Sequence, residues 1–107
     1  MKTISRDELQ HALGTGEPPL LLEALPEKYY AAGHLPGALH FPHDRVDALA
    51  PDLIPGKDQP VVVYCASDTC KNSHLAAAAL EVLGYTRVHV YPGGKKDWEA
   101  GGLSLQR

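Results

Sequence analysis

Val61-Val62-Val63-Tyr64 constrains the fold more than any other stretch of this chain. The run is short, continuous and β-branched, with no polar residue alternating through it. A strand with one wet face alternates. A run of this kind is expected where both faces are covered, at the centre of a parallel sheet. Downstream, residues 73–83 carry alanines at 76–79 and are apolar on nearly every side. They read as a mostly buried helix, capped at its end by Gly84. Val88-His89-Val90-Tyr91 is a second strand, and Gly93-Gly94 leads into a last helix over residues 95–100.

The upstream half has the same rhythm. Ser5 and Glu8 have capping-box spacing, and Leu9, Ala12 and Leu13 give the helix that follows one apolar face. Gly14 and Gly16 end it. Residues 20–24 are a buried strand candidate. Pro26 suits the first turn of a helix over Glu27–Ala32. Gly33 to Gly37 form a turn before a short strand at 38–41. A helical stretch is expected near 45–50, and a polar loop over 51–60. Alternating strands and helices predict an α/β fold with a largely parallel sheet.

Length and composition limit the function classes. A chain of 107 residues, 44% hydrophobic, is read as one domain, residues 1–107, with a packed core. Ten Lys+Arg against thirteen Asp+Glu give a net charge of −3. That balance argues against nucleic acid and against a polybasic membrane patch. The longest apolar runs are six residues, against roughly 20 for a membrane span. MKTISRDELQ has charges where a signal peptide needs its apolar stretch, so a cytoplasmic location is expected. Two cysteines are too few for a disulfide framework.

The carboxyl ends of parallel strands are where ligands bind. Cys65 lies directly after the central strand. Ala66, Ser67, Asp68, Thr69, Cys70, Lys71, Asn72 and Ser73 then form a loop of small and polar residues running into a helix. In that arrangement backbone N–H groups can converge above the sulfur, and the helix dipole adds to them. Both favour an anion. The Cys65 thiol is therefore expected to ionise more readily than a free cysteine, and residues 66–73 to cradle an anionic substrate. Taken alone, Cys65 is read equally well as a small apolar core residue. Cys70 is either a loop residue without a role or a resolving thiol that a thioredoxin-like reductant could recycle.

Several motifs together resemble the rhodanese-like domain. Gly33-His34-Leu35-Pro36-Gly37-Ala38 is similar to its GH-x-PGA turn, and Val61 to Cys65 to its active-site strand. Gly84-Tyr85, Val88 to Tyr91, Gly93-Gly94 and Trp98 are similar to its closing pattern. The resemblance implies a rhodanese-like α/β fold, with a five-stranded, mostly parallel sheet flanked by helices. It also implies a sulfurtransferase in which Cys65 carries sulfane sulfur as a persulfide. The partners implied are a small anionic donor such as thiosulfate and a cyanide or thiol acceptor. No cofactor is implied.

Three features depart from that pattern. Glu23-Ala24-Leu25 stands where many members have Asp-x-Arg, so the usual arginine–carboxylate contact is expected to be missing. Lys71 replaces the arginine common near the end of the loop. The Cys-x5-Lys spacing is also longer than that of a short rhodanese loop. A longer loop suits a tetrahedral oxyanion, which keeps an arsenate reductase or a related cysteine phosphatase as the alternative. Lysine is a point charge, however, and lacks the two-pronged grip of arginine. The missing arginines also permit a catalytically silent interaction module. His34, His40 and His43 match no metal-ligand spacing, so no metal is expected. Trp98 is read as a core anchor, and the charges of Lys95-Lys96-Asp97-Trp98-Glu99 as a solvated face.

Overall fold

The computed structural model describes residues 1–107. Its strands are β1 (Lys2–Thr3), β2 (Leu20–Glu23), β3 (Leu39–His40), β4 (Val61–Tyr64) and β5 (Val88–Tyr91). Its helices are α1 (Arg6–Leu13), α2 (Glu27–Ala32), α3 (Val46–Leu53), α4 (Asn72–Val82) and α5 (Gly94–Ala100). The strands make one sheet in the order β1-β5-β4-β2-β3, and every pairing is parallel. β4 is the middle strand, with Val61 facing Leu20 on one side and Val88 on the other.

The side chains of β4 alternate between two cores. Val61 and Val63 join Leu22, Phe41, Ala76, Ala77 and Leu80 under α3 and α4. Val62 and Tyr64 join Leu9, Leu21, Tyr91 and Trp98 under α1 and α5. All four β4 side chains are buried. Each fully buried valine contributes about 1.5–3 kcal/mol, more than a typical ladder hydrogen bond at about 1 kcal/mol. Burial on both faces therefore gives this run its central place.

Four local expectations are met. The Ser5 hydroxyl accepts from Glu8 N–H at 3.2 Å, while the Glu8 carboxylate accepts from Ser5 N–H at 2.9 Å, closing the capping box. Those bonds hold the Glu8 carboxyl below its ordinary range. Gly84 takes φ +98°, the left-handed conformation that ends α4. Trp98 is buried and donates from Nε1 to Ser104 O at 3.1 Å. No helix is long and apolar enough to cross a membrane.

Two expectations are corrected. α3 follows a 3-10 turn at His43–Arg45 and continues through Pro51, where a loop was expected. Proline forfeits one intrahelical bond, but Ile54 N–H still reaches Ala50 O at 2.8 Å and both residues are buried. α4 is not covered all round. Ser73, Ala76, Ala77 and Leu80 are buried, whereas Leu75 and Val82 are 54% and 87% exposed. A helix lying on one face of a sheet buries one stripe only.

Candidate active site

The parallel sheet brings the ends of β2, β4 and β5 to one edge, so Glu23, Tyr64 and Tyr91 stand side by side in register. Cys65 follows Tyr64 and is 2% exposed. Two helices start at this point. Its carbonyl and that of Ala66 accept from Lys95 N–H at 3.1 Å and Lys96 N–H at 2.9 Å, both in the first turn of α5. Gly94 permits that approach. Its φ is +63°, and a Cβ there would drive into the Cys65 carbonyl oxygen.

The sulfur faces the start of α4. Cys65 Sγ donates to Ser73 Oγ at 3.4 Å, and Ser73 N–H also reaches it. The Cys70 thiol, five residues on in the same loop, is a further influence on it. These contacts oppose one another. Burial pushes the Cys65 thiol up and the Cys70 thiol adds to this, while the Ser73 hydroxyl and N–H pull it down. The net direction is upward. The expected readier ionisation is therefore corrected, because desolvation of a nearly enclosed sulfur outweighs the helix N-terminus.

The eight loop residues surround this sulfur unequally. Ser73 is buried; Ser67, Cys70 and Asn72 are half-buried; Ala66, Asp68, Thr69 and Lys71 are exposed. Cys70 N–H is already bonded to Ser67 O at 3.1 Å, and the Ser67 and Thr69 hydroxyls lie 3.0 Å apart. The N–H groups of residues 66–69 and 71–73 have no backbone carbonyl partner. Lys71 precedes α4 and takes part in none of the three ion pairs. Asp68 and Lys96 face one shallow hollow, also lined by Gly93, Asp97 and Ala100.

Beside the loop lies a buried polar cluster that sequence reasoning missed. Glu23 is fully buried. Tyr64 Oη donates to its Oε1 at 2.7 Å and accepts from Leu35 N–H at 3.0 Å. Burial and the Glu23 charge push the Tyr64 phenol up, so it stays a donor. The Lys95 ammonium meets Oε2 at 3.0 Å as an ion pair and aims its hydrogen bond at Tyr29 O, at 2.6 Å. A cation–carboxylate contact is thus present, with Lys95 supplying the charge, although an arginine–carboxylate contact was expected to be missing. Asp97 is likewise held, by Arg6 at 3.2 Å and by the Tyr91 hydroxyl. The charges of α5 are therefore not simply a solvated face. One signal was available: a glutamate closing an otherwise apolar buried strand needs a buried cation.

Two of the histidines are occupied locally. His34 stacks on Tyr30 with ring centroids 4.0 Å apart and contacts its carbonyl at 3.0 Å, while His40 contacts Leu25 O at 2.9 Å.

Residues 5–101 match the family model described as the rhodanese-like domain. The chain belongs to the rhodanese-like domain family. Its fold is similar to that of a thiosulfate sulfurtransferase from Pseudomonas aeruginosa, with TM-score 0.89 and 27% identity. That match covers 100% of this rhodanese-like chain but only 20% of the Pseudomonas one, so the chain spans about a fifth of its length. A human single-domain sulfurtransferase gives TM-score 0.77 and 25% identity, covering 94% of this chain and 96% of that one. A rhodanese with anions from Escherichia coli gives TM-score 0.66 and 29% identity, covering 74% and 89%. The family model and these neighbours agree on a rhodanese-like domain.

Proposed function

We propose that the protein transfers sulfane sulfur through Cys65, from a small anionic donor such as thiosulfate to a thiol or cyanide acceptor. The observation that carries this is the Cys65 sulfur at the start of α4, touched by both the hydroxyl and the N–H of Ser73. The thiolate attacks the outer sulfur of thiosulfate. A new S–S bond forms, the donor's S–S bond breaks, and sulfite leaves with the electron pair. The acceptor then attacks the outer sulfur of the Cys65 persulfide and releases the thiolate.

Each part of the site has a task in that sequence. Ser73 offsets part of the desolvation that opposes ionisation. Enclosure of Sγ favours a small donor and keeps bulk water from the persulfide. The N–H groups of residues 66–69, 71 and 72 have no backbone carbonyl partner and are available to hold an anion. Lys71 supplies attraction from the loop's edge.

Thiocyanate formation from thiosulfate and cyanide tests the reading, beside arsenate and an aryl phosphate as rival substrates. The native protein is expected to form thiocyanate, and Cys65→Ser none, because a hydroxyl at its ordinary pKa is a far weaker nucleophile. Turnover unchanged in Cys65→Ser, or turnover of arsenate or the phosphate ester alone, would overturn it.

A further inference from the structure

The Lys95 ammonium joins three elements at one point. It meets Glu23 Oε2 at the end of β2 at 3.0 Å and donates to Tyr29 O in α2 at 2.6 Å, while the residue itself stands in the first turn of α5. The Glu23 side chain is wholly enclosed, and that of Lys95 is 13% exposed. Such a pair adds little net stability over apolar residues of the same volume. It does fix one arrangement, because each charge needs its partner at a set place.

The same residue holds the backbone of the nucleophile. Lys95 N–H reaches Cys65 O, and Lys96 N–H reaches Ala66 O. Every peptide here is trans, and in a planar trans peptide C=O and N–H point in opposite directions. Drawing these two carbonyls onto α5 turns the N–H groups of Ala66 and Ser67 away from it. Neither N–H has a backbone carbonyl partner. α5 and α4 pack on opposite faces of the sheet, and the Cys65 sulfur faces Ser73 at the start of α4. Both donors are thus turned to the side of the sulfur.

We propose that Lys95 is a positioning residue for Cys65: its ion pair with Glu23 fixes α5 against the loop, and α5 in turn aims Ala66 N–H and Ser67 N–H at the anionic donor. This rests on the reading of Cys65 above and adds what makes its loop select an anion. The cation that stands on the strand turn in many rhodanese-like domains has moved here to α5, where one residue both neutralises the buried carboxylate and grips the nucleophile's carbonyl.

The test compares two alkylating agents at Cys65, anionic iodoacetate and neutral iodoacetamide, read on the Cys65 peptide. Both attack the same thiolate, so the ratio of their rates is independent of the thiol's pKa and reports the donors around it. The decisive variant is the double substitution Glu23→Met with Lys95→Met. It removes one charge of each sign, leaves the net charge unchanged and replaces a buried pair by apolar side chains, an exchange that proteins often accept without loss of stability. Losing a hydrogen bond to a charged group costs about tenfold in affinity, so the iodoacetate-to-iodoacetamide ratio is expected to fall by that factor in the double variant. Lys95→Arg keeps the pair and should stay near the native ratio. Tyr64→Phe removes one of the donors that hold Glu23 and leaves both charges in place, so it should move the ratio the same way and by less. An unchanged ratio in the double variant, or in Tyr64→Phe if the double variant does not fold, would overturn the positioning role. So would a ratio in Lys95→Arg as low as in the double variant. Sulfite release from thiosulfate by the native protein separates this from the reading it rests on. Sulfite with an unchanged ratio in the double variant would overturn the role of Lys95 alone, and a lowered ratio without sulfite from the native protein would overturn sulfur transfer alone.

Discussion

Ser73→Ala isolates the one side-chain contact that favours the Cys65 thiolate. Ser73 is 1% exposed, and its hydroxyl lies 3.4 Å from Sγ. A hydrogen bond to a charged group contributes about 1.5–3 kcal/mol, and a long contact to a diffuse sulfur belongs at the low end. At about 1.36 kcal/mol per pKa unit, losing it raises the thiol by roughly one unit. The sign follows from the contact: once Sγ has lost its proton the hydroxyl turns to donate to it and stabilises the charged form, so its removal moves a thiol already raised by burial further up. Below both midpoints the thiolate fraction falls about tenfold, but nucleophilicity rises with pKa at a Brønsted slope of about 0.45, leaving a net loss of about threefold. Above both midpoints the variant becomes about threefold faster, so the two pH profiles cross. The assay is the pH dependence of iodoacetamide alkylation at Cys65, read on the Cys65 peptide. An unchanged midpoint, or one displaced downward, would refute the reasoning.

Three further outcomes follow from named contacts. Lys95→Met and Glu23→Gln each disrupt a buried pair and are expected to cost about 3–5 kcal/mol in urea unfolding, with the double variant well below the sum; additive losses would show that the pair does not interact. Gly94→Ala forces a side chain into the left-handed region, at about 1–2 kcal/mol, and into the Cys65 carbonyl. It should lower the urea midpoint and change Cys65 alkylation together, and an unchanged alkylation rate would detach α5 from the site. Lys71→Ala should raise KM for thiosulfate and flatten the native rate's decline with salt, whereas an unaltered KM would reduce Lys71 to a surface residue.

Much of the fold was legible because burial writes itself into local pattern. A β-branched run at Val61–Tyr64, an alanine-rich helix after it and a capping box at Ser5 each state their own structure. β1 was not legible as a strand. Lys2–Thr3 is two exposed residues long, and only pairing with the edge of β5 makes it one. The site divided in the same way. Local order places Cys65, Cys70 and Ser73 around one strand–loop–helix junction. The Glu23–Lys95 pair joins residues far apart in the chain and needs the sheet to bring them together. The direction of the Cys65 shift depends on how completely neighbours exclude water from the sulfur, which strand and loop pattern do not encode.

The central claim is that Cys65 carries the sulfur, and intact mass after thiosulfate tests it most directly. The background is Cys70→Ser, in which Cys65 is the only thiol. That protein is expected to gain one sulfur atom, located on the Cys65 peptide, and to lose it to cyanide as thiocyanate. With Cys65→Ser added, the gain should vanish. Sulfur uptake that survives Cys65→Ser, or no uptake by the Cys70→Ser protein at all, would contradict the account.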